Sequence, residues 1–210
     1  MPDSIDSLKK EEKQKQNNPL KVKSNPLLEE SVKLFEFGIN VFGLIQSDMI
    51  GEFYTKITPQ KYYANDLSAF IMLVKSYENE LNFQEHLGYY LSYLICRCNE
   101  SRINLDTKCL TELPDYLTLW TDKELIIEGN AGNYLGYSMQ RGKIILNGNA
   151  GYYVGCIMKN GIINILGNVG NNLGEGMIGG QIELFGDCIT KDKCQNLGGK
   201  IYHKGIRIDV

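Results

Sequence analysis

Glu128, Glu175, Glu183, Asp187 and His203 are candidate acids, bases or electrostatic partners along the carboxy-terminal repeat. Catalysis needs such groups to converge on one pocket, with a nucleophile within reach of its base. These residues are scattered, and no nucleophile–base pairing is visible. Glu128 and Glu183 fall at positions expected to face solvent. Metal chemistry is no better served. The chain has six cysteines and two histidines, His86 and His203. Cys96 and Cys98 are one residue apart, which is not the C-x-x-C of zinc or redox sites. Cys109, Cys156, Cys188 and Cys194 stand singly, and no disulfide framework is expected. Gly174-Glu175-Gly176-Met177-Ile178-Gly179 fits the dinucleotide pattern G-x-G-x-x-G. That pattern needs a strand before it and a helix opening on it, and here it sits inside a strand repeat. No catalytic residue, cofactor or metal is assigned.

The repeat is the dominant feature. Gly129, Gly148, Gly167 and Gly186 recur every nineteen residues. The same period relates Gly132, Gly151 and Gly170; Gly136, Gly155 and Gly174; Met139, Met158 and Met177; and Gly142, Gly161 and Gly180. One aliphatic column reads Leu125, Ile144, Ile163, Ile182, and a second reads Ile127, Leu146, Ile165, Leu184. Between them lies a mixed column, Ile126, Ile145, Asn164, Glu183. Alternation with period two marks a strand whose mixed column faces out. The Gly-Asn pairs that follow, and Gly186-Asp187, are turn chemistry. Nineteen residues hold too little chain for two helices, and no repeat has a helix-length run without Gly. Each repeat therefore reads as one coil of a β-solenoid, with like side chains stacked between coils roughly 4.8 Å apart. A left-handed acyltransferase helix is excluded, because nineteen is not a multiple of six.

The pattern carried by Gly129-Asn130-Ala131-Gly132, Gly148-Asn149-Ala150-Gly151, Gly167-Asn168-Val169-Gly170, the three Met and Gly179-Gly180 resembles the GXGXG family. That family includes the carboxy-terminal domain of the glutamate synthase large subunit and one of the subunits of formylmethanofuran dehydrogenase. Gly199 to Gly205 fits the same pattern, so the resemblance spans residues from about 124 to 207. It implies a right-handed parallel β-helix that packs against catalytic domains without being the catalytic centre. It supplies no catalytic residue.

The amino-terminal half reads differently. Residues 1–24 are polar and charged, as in a disordered tail. Asn25-Pro26 signals a helix start, followed by an apolar face of Leu27, Leu28, Val32, Leu34, Phe35, Ile39, Phe42 and Ile45. Thr58-Pro59 repeats the signal. Asp66 is expected to cap a helix to about Asn79, with Leu67, Phe70, Ile71, Val74 and Tyr77 inward. Asn82 is expected to cap another to about Cys98, with Leu87, Tyr90, Leu91, Leu94 and Ile95 inward. The expected architecture is α+β in two parts. A helical domain (25–105) is joined by a connection and cap (106–123) to a β-helix (124–210). Counting nineteen back from Met139 lands on Trp120, which with Leu117 and Leu119 is expected to plug the first coil. Counting forward, Asn196 and His203 mark a degenerate last coil.

Charge is nearly balanced, at 22 basic and 25 acidic side chains. That argues against a nucleic-acid surface. No run is apolar enough for a membrane span, and no signal segment is evident, so a cytoplasmic location is expected. Tyr134 stacked on Tyr153, and Ile126 on Ile145, are expected to face outward, in part covered by the helical domain and for the rest a contact surface. The reading is a non-catalytic scaffold that binds a protein partner or a second copy of itself. The alternative is an accessory subunit of an oxidoreductase or amidotransferase complex.

Overall fold

The structure, a computed structural model, describes residues 26–41, 63–188 and 196–208. The expected tail, the caps at Asn25 and Thr58-Pro59, and Phe42, Ile45 and Cys194 lie outside them. Three helices come first: α1 (Pro26–Val41), α2 (Ala64–Val74, continued by a 3-10 turn over Lys75–Tyr77) and α3 (Phe83–Arg97). Seven strands follow: β1 (Arg102–Asp106), β2 (Glu124–Glu128), β3 (Lys143–Asn147), β4 (Ile162–Ile165), β5 (Gln181–Leu184), β6 (Lys200–His203) and β7 (Ile206–Arg207). They form one sheet in sequence order, β1 to β6 parallel and β7 antiparallel to β6.

The pairing register is the sequence period. Leu125 lies opposite Ile144, Ile144 opposite Ile163, Ile163 opposite Ile182 and Ile182 opposite Ile201. These residues, and Met139, Met158 and Met177, are buried. Each buried Ile, Leu or Met contributes about 1.5–3 kcal/mol through apolar area removed from water. Because the pleat has period two, slipping one residue would turn every such side chain to solvent, so the burial also fixes the register. The chain is thus a helical unit followed by a parallel β-solenoid with nineteen-residue coils.

The solenoid begins a coil earlier than residue 124. β1 pairs with β2 through Arg102↔Glu124 to Asp106↔Glu128, an offset of 22 residues. The stretch 107–123, within the expected connection and solenoid cap, completes this first coil: Gly136 N donates to Leu117 O and Gln140 N to Leu119 O. Only irregular spacing hid it.

Helix starts also shift. Asp66 is not the cap of α2 but its third residue; its carboxylate accepts from the Tyr63 backbone N–H at 3.1 Å. Asn82 does stand at the α3 cap, in left-handed conformation (φ 64), but makes no side-chain cap bond there. The expected inward residues of α2 and α3 are buried, except for half-buried Tyr77.

Phe35 is the hub of the helical unit. Its ring meets Phe70, Phe83 and Tyr90 edge-on, with centroids 5.6, 6.0 and 5.7 Å away. His86 lies 4.4 Å from it by centroid and is fully buried. The imidazole Nε2 bonds to Phe35 O at 2.9 Å. Burial pushes the His86 pKa down to about 4, so the ring is neutral near pH 7. The ring occupies a notch at Gly38, where a Cβ would come within 2.4 Å of it.

Helix α3 seats the helical unit on the first coil. A Cβ at Gly88 would sit 1.5 Å from Asp115 O, so only glycine permits this approach. One turn on, the Ser92 hydroxyl donates to Gly88 O (2.7 Å) and accepts from Thr118 N (2.9 Å). Lys123 Nζ donates to Cys98 O and Glu100 O at 2.6 and 2.8 Å, tying the end of α3 to the same coil. At the far end of the solenoid, β7 folds back on β6 as a two-residue antiparallel edge.

Candidate functional site

Sixteen repeat positions were expected to be structural, and their environments show how. The Met column packs under the next coil's glycine. A Cβ at Gly161 would meet the Met139 methyl at 2.7 Å, and one at Gly180 the Met158 methyl at 2.8 Å. The same relation identifies the first coil's occupant: a Cβ at Gly142 would meet Leu119 Cδ1 at 3.2 Å. Leu119, fully buried, therefore takes the place expected for Trp120. Trp120 is half-buried and turned to the seam, its ring 4.7 Å from Tyr93 of α3. It covers the first coil from the side instead of plugging it.

The turn asparagines form a ladder of their own. The side-chain oxygens of Asn130, Asn149 and Asn168 accept from the backbone N–H of Asn149, Asn168 and Asp187 at 2.8–2.9 Å. Each amide thereby stitches its coil to the next. Asp187 ends the ladder. Its carboxylate takes Lys204 Nζ at 2.8 Å, and that bond holds its pKa below the usual range.

The expected contact surface is split by the structure. Tyr134 and Tyr153 do stack, with centroids 4.9 Å apart and planes 4° apart. The stack continues inward: Tyr116 lies 4.5 Å below Tyr134, and Tyr89 of α3 lies 5.1 Å from Tyr116. Tyr137 closes on Tyr116 and Tyr134 edge-on. Burial pushes the Tyr89 and Tyr116 hydroxyls well above the ordinary phenol range. Tyr116, Tyr134 and Tyr153 all hold positive φ, at 59°, 57° and 60°. A bulky residue rarely adopts that conformation; here three do so in one column, with stacked rings. Tyr134, half-buried, is therefore a middle member of a ladder that joins the helical unit to the coils. Ile126 is removed from the surface, at 9 % exposure, whereas Ile145 is half-buried.

The titratable candidates remain dispersed, with one exception. Glu128 pairs with Lys108 at 3.8 Å and accepts from Asn147 at 2.7 Å. Glu183 is half-buried in the outward column, opposite Asn164 and Tyr202. Glu175 is a turn residue whose carbonyl accepts from Ile157 N. Asp187 and His203 do come together, at 3.8 Å. Yet His203 Nε2 faces Gly186 O at 2.9 Å, so that nitrogen holds its proton on a backbone carbonyl. This fastens the last coil and leaves Nε2 unable to act as a base. The G-x-G-x-x-G stretch runs through a turn into β5 and opens no helix. Among the described residues no cluster of three or more His, Cys, Asp or Glu could hold a metal, and no helix is long and apolar enough to cross a membrane.

A groove of about 320 Å³ lies where α3 and the 111–115 segment meet the Gly-Asn-Ala-Gly corners of the second and third coils. Asp115 is among its lining residues, 8 % exposed. Burial raises its pKa, opposed by bonds from Asn133 N (2.5 Å) and Asn133 Nδ2 (3.3 Å). Sequence reasoning gave Asp115 no role; Gly132, where a Cβ would strike the Asp115 carboxylate at 2.1 Å, is the residue that makes room for it.

Comparisons with protein-family models, with curated proteins and with solved structures return no match to this chain.

Proposed function

We propose that the chain is a non-catalytic assembly module, a β-solenoid that offers a fixed surface to another protein or to a second copy of itself. The observation that carries this reading is the asymmetry of the two solenoid ends. The first coil is covered by α3. The last coils leave Leu197 71 % and Ile206 70 % exposed, with Ile178, Phe185 and Ile208 also open. Exposed apolar side chains gathered at one end of a fold, more than burial of the core requires, are the kind that mark contact sites. The half-buried Tyr134 and Tyr153 belong to the same solenoid surface at its other end. The repeat's resemblance to GXGXG domains, which pack against catalytic domains, favours an accessory subunit of an oxidoreductase or amidotransferase complex as the form such assembly takes.

Native mass spectrometry of the protein purified gently from its own cells tests the proposal. The expected result is a stoichiometric complex, with another polypeptide or between copies, that dissociates in a Leu197→Asp, Ile206→Asp double variant of unchanged circular dichroism. A monomer at every concentration, with no bound polypeptide, would overturn it.

A further inference from the structure

We infer that the groove between α3 and the second and third coils is a binding site for a neutral saccharide. Among the described residues that line it, three primary amides, those of Gln84, Asn130 and Asn149, hold uncommitted N–H donors. The ladder uses the oxygens of Asn130 and Asn149 to hold the next coil, so each Nδ2 is left outward, with no bond to a described residue. The Gln84 side chain, on the first turn of α3, likewise makes none, only its backbone carbonyl being engaged, by Asp115 N. Asn130 and Asn149 are therefore donors locked one coil apart, without the rotamer entropy that a free amide loses on binding. In the same lining, the Asp115 carboxylate keeps lone pairs beyond the two bonds from Asn133.

The other ligand classes fit badly. No Lys, Arg or His lines the groove, and Asp115 repels an anion. Asp115 is the one carboxylate in the lining, so a divalent cation lacks its ligands. The apolar lining is Leu113 with Ala131 and Ala150, both already buried, too little for an apolar ligand. An extended peptide would need a free backbone edge. Here the corner amides bond from coil to coil: Ala131 N to Asn149 O, Ala150 N to Asn168 O and Gly151 N to Gly132 O. What remains is a compact, uncharged ligand with many hydroxyls. Such a ligand accepts from fixed amide donors and gives its own protons to a carboxylate. The volume is at the lower end for small-molecule sites.

The test is titration of the isotope-labelled protein with glucose, galactose, mannose, N-acetylglucosamine, cellobiose, maltose and lactose, with inorganic phosphate as the anionic control. At least one sugar is expected to shift the side-chain NH₂ resonances of Asn130 and Asn149, with millimolar or tighter affinity. Asn149→Asp keeps the oxygen that accepts from Asn168 N but replaces the outward donor with an acceptor. It is expected to weaken binding by about tenfold, with melting temperature unchanged. Gln84→Ala, which removes no bond within the described structure, is expected to cost about threefold to tenfold and decides the matter if the first variant misfolds. The inference is overturned if no sugar in the panel shifts these resonances, if phosphate alone does, or if binding is unchanged in the folded variants.

Discussion

The helical unit and the solenoid solve the same problem of burial in opposite ways. In the helical unit one ring, Phe35, touches partners from both other helices, and a buried histidine is fitted against it through a glycine notch. In the solenoid no residue is central. Met158 has Met139 on one side and Met177 on the other, and each coil presents the next with the surface it received. A hub concentrates energy where a single substitution removes it; a stack spreads it over near-identical neighbours that share a loss. The two remain one body because α3 belongs to both: Phe83, Tyr90 and Leu94 are buried in the continuous core, and Gly88, Ser92 and Tyr89 meet the first coil.

The sharpest way to break the contrast is at the hub. Phe35→Ala should cost about 3–5 kcal/mol, measured by urea denaturation. The loss should appear first in the near-ultraviolet signal of the helical unit. A cost below about 1 kcal/mol, with the signal intact, would show that Phe35 is no hub.

Acid should open the same unit. His86 has a folded pKa of about 4, below its ordinary value of 6.5. The unfolded chain therefore binds the proton more readily between those values. The neutral ring's contribution is complete above about pH 6.5, falls as pH drops toward 4, and is gone below that. The whole span is worth about 3 kcal/mol at most. Melting temperatures followed from pH 7 to 4 should fall in the native protein and fall less in His86→Gln. Parallel curves would place the acid sensitivity elsewhere.

Within the stack, Met158→Ala should cost about 2–3 kcal/mol, near the lower end for such a truncation, because the flanking Met139 and Met177 side chains are flexible enough to lean into the space. Met139→Ala, next to Leu119 of the irregular first coil, should cost more. Equal costs in chemical denaturation would remove this distinction between regular and irregular coils.

Legibility in the sequence follows the same divide. Columns from 125 onward were readable because each side chain has a copy nineteen residues away, and pairing between like coils leaves it no other place. The first coil was hidden because its spacing is irregular from Ile103 to Leu119 and regains the period of nineteen only at Asp122 and Lys123. Tyr116 precedes Tyr134 by eighteen residues, Leu119 precedes Met139 by twenty, and Ile103 precedes Leu125 by 22. A fixed count of nineteen therefore landed on Trp120. The trace that survives is local: Asp115-Tyr116-Leu117 repeats Asn133-Tyr134-Leu135. The groove was illegible for a different reason. Gln84, Asp115 and Asn130 come from an α-helix, a loop and a turn, and only the close approach at Gly88 brings them together.

The smallest expected effect tests whether the tyrosine ladder stabilises the stack or is only tolerated by it. The column after Tyr153 holds Asn172, with φ 63, matching the 57–60° of the tyrosines below it. Asparagine accepts this conformation more readily than tyrosine does. Asn172→Tyr thus carries a local backbone cost but adds a ring one coil above Tyr153, where the existing pairs lie 4.5–4.9 Å apart in near-parallel planes. An offset-stacked pair contributes about 0.5–1.5 kcal/mol beyond its area. The variant should therefore be more stable by up to about 1 kcal/mol in urea denaturation. Tyr153→Asn, which shortens the ladder and relaxes the same backbone strain, should be less stable by a similar amount. The opposite pair of signs would mean that the rings stack because the coils place them there, and that the stability of the solenoid resides in its Ile and Met columns.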